Sequence, residues 1–349
     1  MATEQARIRV ALPRRRPDVL TIVGVVLLGL VAFWLIKNFI EAPSDFYALF
    51  LIGLTNGCVY GLVAIGYTLV YGILELINFA HGDVFMLGGM LVATMVTDWS
   101  LQNKSGLVLW LFILLMLTIV MAFCATINTT IEIVAYRRLR NAPRLAPLIT
   151  AIGMSFILQN IGLVWKGARP TSVPDILPHG AVFTIAGVPY TWNRFIVILF
   201  TVPVLLALMW LVRRTRHGKA MRATAQDRDA AAMMGISVNR TISFTFFIAG
   251  SLAGAAALLY ALYITNIRYT EGFRVGLIAF TAAVLGGIGN LPGAVLGGLV
   301  IGFVESFNNG LGWHAPGSDW TQSIIFAILI LILVFRPEGL LGERTPEGA

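Results

Sequence analysis

The chain has 349 residues, of which 58% are hydrophobic and 12% charged, and its mean hydropathy is +0.83. That composition describes a polytopic membrane protein and excludes a soluble domain of useful size. The net charge of +8 does not point to nucleic acid, because the basic residues fall in short segments between apolar runs, which is how orientation in a membrane is encoded.

The first apolar run, Val19 to Ile36, follows Arg14-Arg15-Arg16, a layout that a cleaved signal peptide shares with a signal anchor. Eighteen uncharged residues, with no good small-x-small site in Phe39-Ile-Glu-Ala-Pro-Ser, favour a retained N-terminal transmembrane helix over 19–40; Ala42 keeps cleavage open. Segments long enough to cross about 30 Å of hydrocarbon follow near 46–73, 84–98, 107–132, 147–165, 194–212 and 241–265. The stretch 276–335 divides into a piece ending near Ile288, a second from Gly293 to Asn308 and a third from Trp320 to Phe335. The count is ten, within a range of about 8–10 according to whether the last pieces form separate spans, a kinked helix or a re-entrant pair. The fold class is therefore all-α and polytopic, with two broken or re-entrant Gly-rich segments.

With the N-terminus inside, residues 1–18, 74–83, 136–146, 213–240, 288–292 and the tail 337–349 fall in the cytoplasm, so both termini are cytoplasmic. The inside segments, with Arg336 at the edge of the tail, hold 18 of the 25 Lys and Arg residues, as the positive-inside rule requires. On this reading 1–18 is a basic cytoplasmic N-terminus and 41–336 is the main transmembrane domain, with a basic cytoplasmic loop at 213–240.

Two polar breaks interrupt the apolar sequence: Glu75-Leu-Ile-Asn78-Phe-Ala-His81-Gly82-Asp83 and Gly286-Gly-Ile-Gly-Asn290-Leu-Pro-Gly293. Irregular polar backbone at membrane depth persists only where protein buries it or where it lines a watery cavity. Asn78, His81, Gly82, Asp83, Gly287, Gly289, Asn290, Pro292 and Gly293 are accordingly the candidates for broken helices along a translocation pathway. The breaks share an Asn…Gly-x-Val pattern that hints at a parallel internal repeat. Two ladders, Gly53-Gly57-Gly61 and Gly289-Gly293-Gly297, have small-xxx-small spacing and read as helix packing in preference to substrate contact.

Glu75, Asp83 and Glu305 are expected as solvated helix-end carboxylates and Glu132 as an ion-pair partner of Arg137 and Arg138, with a proton or substrate relay as the other reading. His81 is expected to hydrogen-bond, and Cys58 and Cys124 to be buried as small hydrophobes. No enzyme site assembles. There is no GxxxxGK[ST] loop, Gly287-Ile-Gly289 runs into Pro292 where a dinucleotide fingerprint needs glycine, and His81, His179, His217 and His314 lack metal-ligand spacing. No metal and no cofactor is expected on this chain.

In the loop 213–240, Asp229-Ala230-Ala231-x-x-x-Gly235 resembles the Glu-Ala-Ala-x-x-x-Gly signature of permease subunits in ABC importers, with Asp replacing Glu and without the usual Leu-Pro pair. Together with Asn78-Phe-Ala-His-Gly-Asp83, Ala225-Gln-Asp-Arg-Asp-Ala-Ala-Ala-Met-Met-Gly235, the run Gly286 to Gly298 and Arg336-Pro-Glu-Gly-Leu-Leu-Gly342, the chain from about 46 to 342 is similar to the smaller permease of branched-chain amino acid ABC importers. The resemblance implies the ABC importer permease fold and no ATPase activity of its own. It implies a second homologous permease, two cytoplasmic ATPases carrying ATP and Mg²⁺, an external binding protein, and a bacterial inner membrane location. Asp229, Ala230, Ala231 and Gly235 would then belong to a coupling helix, and Arg268, Glu271 and Arg274, an external charged loop, would help dock the binding protein. Leucine, isoleucine and valine head the implied substrates, with urea, short amides and other, related amino acids close behind. An ion-coupled secondary transporter using Glu75 and Glu132, or a non-transporting scaffold, are the other classes the sequence allows.

Overall fold

The computed structural model of the chain describes residues 19–342, apart from 76, 141, 144, 179, 186 and 337. The basic segment 1–18, the tail beyond 342, Arg144 and His179 lie outside the described residues. The chain divides at Pro43 into two compact units. The first carries α1 (Val19–Glu41), a helix with Val25, Leu28, Leu30 and Ile36 all exposed, as suits an apolar span in lipid.

In the second unit, apolar sequence leaves the backbone helical bonds as its main partners, and nine further helices account for most of it. These are α2 (Pro43–Leu74), α3 (Ala80–Asp98), α4 (Gly106–Ile131), α5 (Leu145–Lys166), α6 (Trp192–Arg214), a connecting pair α7 (Arg216–Gln226) and α8 (Arg228–Met233), then α9 (Val238–Ile264) and α10 (Glu271–Gly286). Two more, α11 (Leu291–Gly310) and α12 (Thr321–Phe335), close the described bundle. Nine helices, among the described residues, are long and apolar enough to cross a membrane. The exception among the ten sequence segments is α10, whose 16 residues rise only about 24 Å, short of the roughly 30 Å of hydrocarbon. Outside the helices, β1 (Thr171–Ser172) pairs with β4 (Asn266–Ile267), and β2 (Ala181–Ile185) with β3 (Val188–Thr191), all antiparallel.

Burial sorts the helices into layers. In the most apolar stretches of α2, α3 and α9, 67%, 83% and 72% of residues are buried, against 22% in α5 and α6 and 11% in the α12 region, so the first three form the core and the others an outer shell. The shell shows its apolar residues outward, as at Leu111, Phe156, Leu206 and Leu333. Cys58 and Cys124 are free and buried.

Close packing of α2 on α11 rests on glycine. A Cβ on Gly57 would lie 2.6 Å from Leu299 Cα, and one on Gly298 would lie 2.6 Å from Gly61 Cα, so these backbones touch as small-xxx-small packing allows. The second ladder differs from its expectation. Gly289 precedes α11 with φ +92 and has nothing near its Cβ position, so it shares no helical face with Gly293 and Gly297. Instead α11 carries two stripes, Gly298 and Gly302 against α2, and Gly293 and Gly297 against the Gly286 and Ala282 carbonyls of α10. Gly298→Val should therefore lower stability by about 1–3 kcal/mol through overpacking, seen as a lower thermal midpoint in detergent. Gly153→Val, at a position with nothing within 4 Å, should leave the midpoint unchanged or slightly raised.

Candidate functional site

At the first break, α2 stops where Glu75 takes φ +54, and α3 restarts at Ala80. His81 packs directly against Gly66, where a Cβ would collide with the ring. Gly66 stands eight residues before the end of α2, about 12 Å along the axis, so the linking segment turns back into the bundle and α3 begins well inside it. The irregular backbone is held by side chains from other helices. Asn78 receives the Tyr136 hydroxyl at 2.8 Å and donates to Asn128 Oδ1 at 3.4 Å, while Asn128 donates to the Phe246 carbonyl at 2.7 Å. Gly82 meets Gly276, whose Cα would lie 2.7 Å from an added Cβ, which brings the start of α3 against the first turns of α10.

One expectation fails here because the chain re-enters the bundle. Asp83 is not a solvated helix-end carboxylate: it is fully buried, and its Oδ2 accepts from Ser155 at 2.5 Å, with Gln159 donating to Ser155 at 3.1 Å. His81 is fully buried, with its ring edge-on to Tyr67 at 4.9 Å and the Val63 carbonyl as a polar neighbour. Glu75 is exposed.

The second break spans Gly287 (φ +101) and Gly289 (φ +92), conformations that glycine adopts without strain. Asn290 then caps α11 by accepting from Gly293 N at 3.0 Å, and Pro292 sits in the first turn, where its missing N–H leaves no bond unmade. The terminal Arg336–Gly342 motif completes the break. Leu340 N and Leu341 N donate to the Leu285 and Gly286 carbonyls at 2.8 and 3.0 Å, and Asn290 Nδ2 donates to the Leu341 carbonyl at 2.7 Å. These are the acceptors that the end of α10 would otherwise leave open. A Cβ on Gly72 would lie 3.8 Å from Gly289 Cα, so the ends of α2 and α10 lie side by side. The two breaks are not built alike, since Asn290 caps its helix whereas Asn78 sits before α3 and ties to α4 instead.

Between α7 and α9, the Asp227 carboxylate accepts from Asp229 N and Ala230 N at 2.9 Å each and starts α8. Gly235 (φ +82) ends it in a Schellman turn, with Gly235 N donating to the Ala232 carbonyl and Ile236 N to the Ala231 carbonyl. Ala231 faces inward, whereas Met233 and Met234 are 82% and 83% exposed. Arg228, which the sequence reading passed over, donates to the Ile73 carbonyl at 3.0 Å, fastening α8 to the last turn of α2 beside the first break. Nearby, fully buried Glu132 pairs with Arg137 at 3.0 Å and with Arg140, and accepts from Ser243 at 2.6 Å. Arg140, not Arg138, is thus the second partner. Burial lowers the Arg140 guanidinium from its ordinary value and the charge of Glu132 opposes that fall.

The third charged group also departs from expectation. Glu271 and Arg274 are not loop residues but occupy the first turn of α10, ion-paired with each other; only Arg268 is exposed in the loop before it. Glu271 also accepts from Tyr260 at 2.6 Å. Arg274 reaches toward Glu305 at 3.6 Å, and Glu305, expected to be solvated, is buried and accepts from Tyr60 at 2.6 Å and Asn56 at 3.3 Å. Tyr60 lies fourteen residues before the end of α2, about 21 Å along its axis, so this cluster stands well away from the first break, with Glu305 buried and Arg274 half-exposed. The difference lies in the α10 boundary: a start near 276 leaves Glu271 to Val275, and with them both charged residues, in the loop.

The double role of Asn290 can be separated by mutation. Asn290→Ala should cost about 1–2 kcal/mol by removing both cap and donor, read as a lower thermal midpoint in detergent. Asn290→Asp, which keeps the cap and loses the donor to Leu341, should fall between it and the unaltered chain.

The family described as branched-chain amino acid transport system, permease component, matches residues 49–334. The high-affinity branched-chain amino acid transport system permease protein BraD of Pseudomonas aeruginosa is 40% identical over 298 residues, covering 84% of this chain and 95% of that protein. LivH of Escherichia coli K12, with the same description, is 36% identical over 302 residues with the same coverage. A probable branched-chain amino acid transport permease protein LivH of Methanocaldococcus jannaschii is 27% identical over 298 residues, covering 80% and 88%. No solved structure matches the chain. The match along most of the chain, joined to a multi-pass helical bundle, means that it belongs to the permease components of branched-chain amino acid transport systems, ABC importer subunits that are not themselves enzymes.

Proposed function

We propose that this chain forms half of the transmembrane pathway of an ATP-driven importer of branched-chain amino acids. As a member of this family it works with ATPase and binding-protein partners. In the proposed assembly it pairs with a second, homologous permease above two cytoplasmic ATPases that bind ATP and Mg²⁺, and an external protein delivers leucine, isoleucine or valine. It lies in the bacterial inner membrane with both termini in the cytoplasm.

The observation that carries this reading is α8. A six-residue helix capped at both ends presents two exposed methionines, an adaptable apolar knob of the sort that seats in a partner's groove. Asp229, Ala230, Ala231 and Gly235 serve this knob as its scaffold, with Asp229 in the first turn, Ala231 against the bundle and Gly235 as the stop. Arg228 gives it a route inward, because displacement of α8 by the ATPases bears on the Ile73 carbonyl and so on the adjoining break. The broken segments around Asn78 to Asp83 and Gly287 to Gly293 are then the parts of the pathway wall that move.

Met234→Asp should weaken ATPase association by about 2 kcal/mol, roughly thirtyfold, with membrane insertion unchanged, measured by co-purification and titration of the separated subunits. Full retention of the ATPases would count against the assignment. For the substrate, uptake of labelled leucine by the assembled transporter should be competed by isoleucine and valine and unaffected by urea; the reverse pattern would move the reading to amides.

A further inference from the structure

Resting on the amino acid reading above, we infer that the cavity walled by α2, α9, α10 and α11 is a subsite of the translocation pathway that receives the zwitterionic head of an amino acid, its ammonium on Glu305 and its carboxylate toward Arg274. The cavity is small, about 60 Å³. It brings oppositely charged groups to face each other, the buried Glu305 and the half-exposed Arg274, beside an apolar strip of Val59 and Ile264.

The hydrogen bonding leaves capacity of the right kind. Glu305 Oε2 is satisfied by Tyr60 and Asn56. Its Oε1 has, among the described residues, only Arg274 Nη1 at 3.6 Å, beyond hydrogen-bond length. Arg274 spends Nε and Nη2 on Glu271 and Tyr260, so Nη1 is the part of the guanidinium that points to the Glu305 side of the cavity. Two carboxylates thus answer one guanidinium within the cluster. An ammonium placed at Oε1 would supply the missing donor, and the α-carboxylate next to it falls on the Nη1 side. A buried carboxylate such as Glu305 in a membrane helix is costly to keep without a role in passage. At this volume the site holds a few waters and would widen to admit an aliphatic side chain.

The test uses the complete transporter with its co-purified partners in liposomes. Glu305→Gln should reduce labelled L-leucine uptake about tenfold, the loss of one charged hydrogen bond, while ATP hydrolysis stays near its unaltered rate; uptake and hydrolysis falling together would make Glu305 a structural strut and overturn the inference. A second readout needs no turnover. In an Ile264→Cys background, L-leucine should slow labelling of the new thiol by a methanethiosulfonate reagent, 4-methylpentanoate, which lacks the ammonium, should not, and Glu305→Gln should abolish the protection. Equal protection by both compounds, or none by leucine, overturns the subsite. Should Glu305→Gln fail to assemble, Tyr60→Phe carries the same expected split between uptake and hydrolysis, and unaltered uptake in it overturns the inference. An unaltered transporter that carries no branched-chain amino acid at all removes the importer reading itself, and the subsite with it.

Discussion

A backbone N–H or C=O group with no water to turn to has to find its partner within the protein. Ordinary spans meet that demand by being helices, and this chain departs from it at two places. Each departure is met by side chains or backbone from a distant part of the sequence. Asn128 and Tyr136 hold Asn78 at the first break, while Asn290 and the amides of Leu340 and Leu341 close the second. Removing the helical bonds frees the chain to turn, and replacing them with a few specific contacts leaves those turns able to change.

Position makes the breaks useful. The ends of α2 and α10 lie together, as Gly72 and Gly289 show, and α8 is tied to the same end through Arg228 and the Ile73 carbonyl. Further into the bundle, the restart of α3 meets the first turns of α10 through Gly82 and Gly276. Those first turns also carry Glu271 and Arg274, which reach Tyr260 and Glu305. A contiguous series of contacts therefore runs from the exposed methionines of α8, by way of the broken helices, to the charged cavity. Glycine is what permits the helix contacts along it, and charge is concentrated at its two ends.

Much of this was legible in the sequence, for identifiable reasons. Apolar runs of span length announce themselves, and polar, glycine-rich interruptions in them are conspicuous. The ladder Gly53-Gly57-Gly61 had only to obey helical spacing to be placed on one face. The Asp229 to Gly235 segment carries its own start and stop signals, so its short helix is local. What escaped depended on pairing across long separations. Arg228 meets Ile73 across 155 positions and Tyr60 meets Glu305 across 245, and no spacing rule reports such pairs. Asp83 looked like a residue at the membrane surface because its nearest neighbours in sequence are polar; only the backward turn of the chain shows that the helix it opens begins inside the bundle. Glu305 was misplaced for a related reason, since distance from a helix end says little about exposure where a broken neighbour packs across it. The terminal motif was visible as a pattern, but its contact with Leu285 and Gly286 was not.

The central claim is that α8 is mechanically joined to the first break through Arg228. Hydrogen exchange of the amides from 74 to 80, followed in the complete transporter with and without a non-hydrolysable ATP analogue, tests it most directly. A nucleotide-dependent change in exchange that is present in the unaltered chain and lost in Arg228→Ala is the predicted result. The same nucleotide response in both would mean that the motion reaches the break by another route.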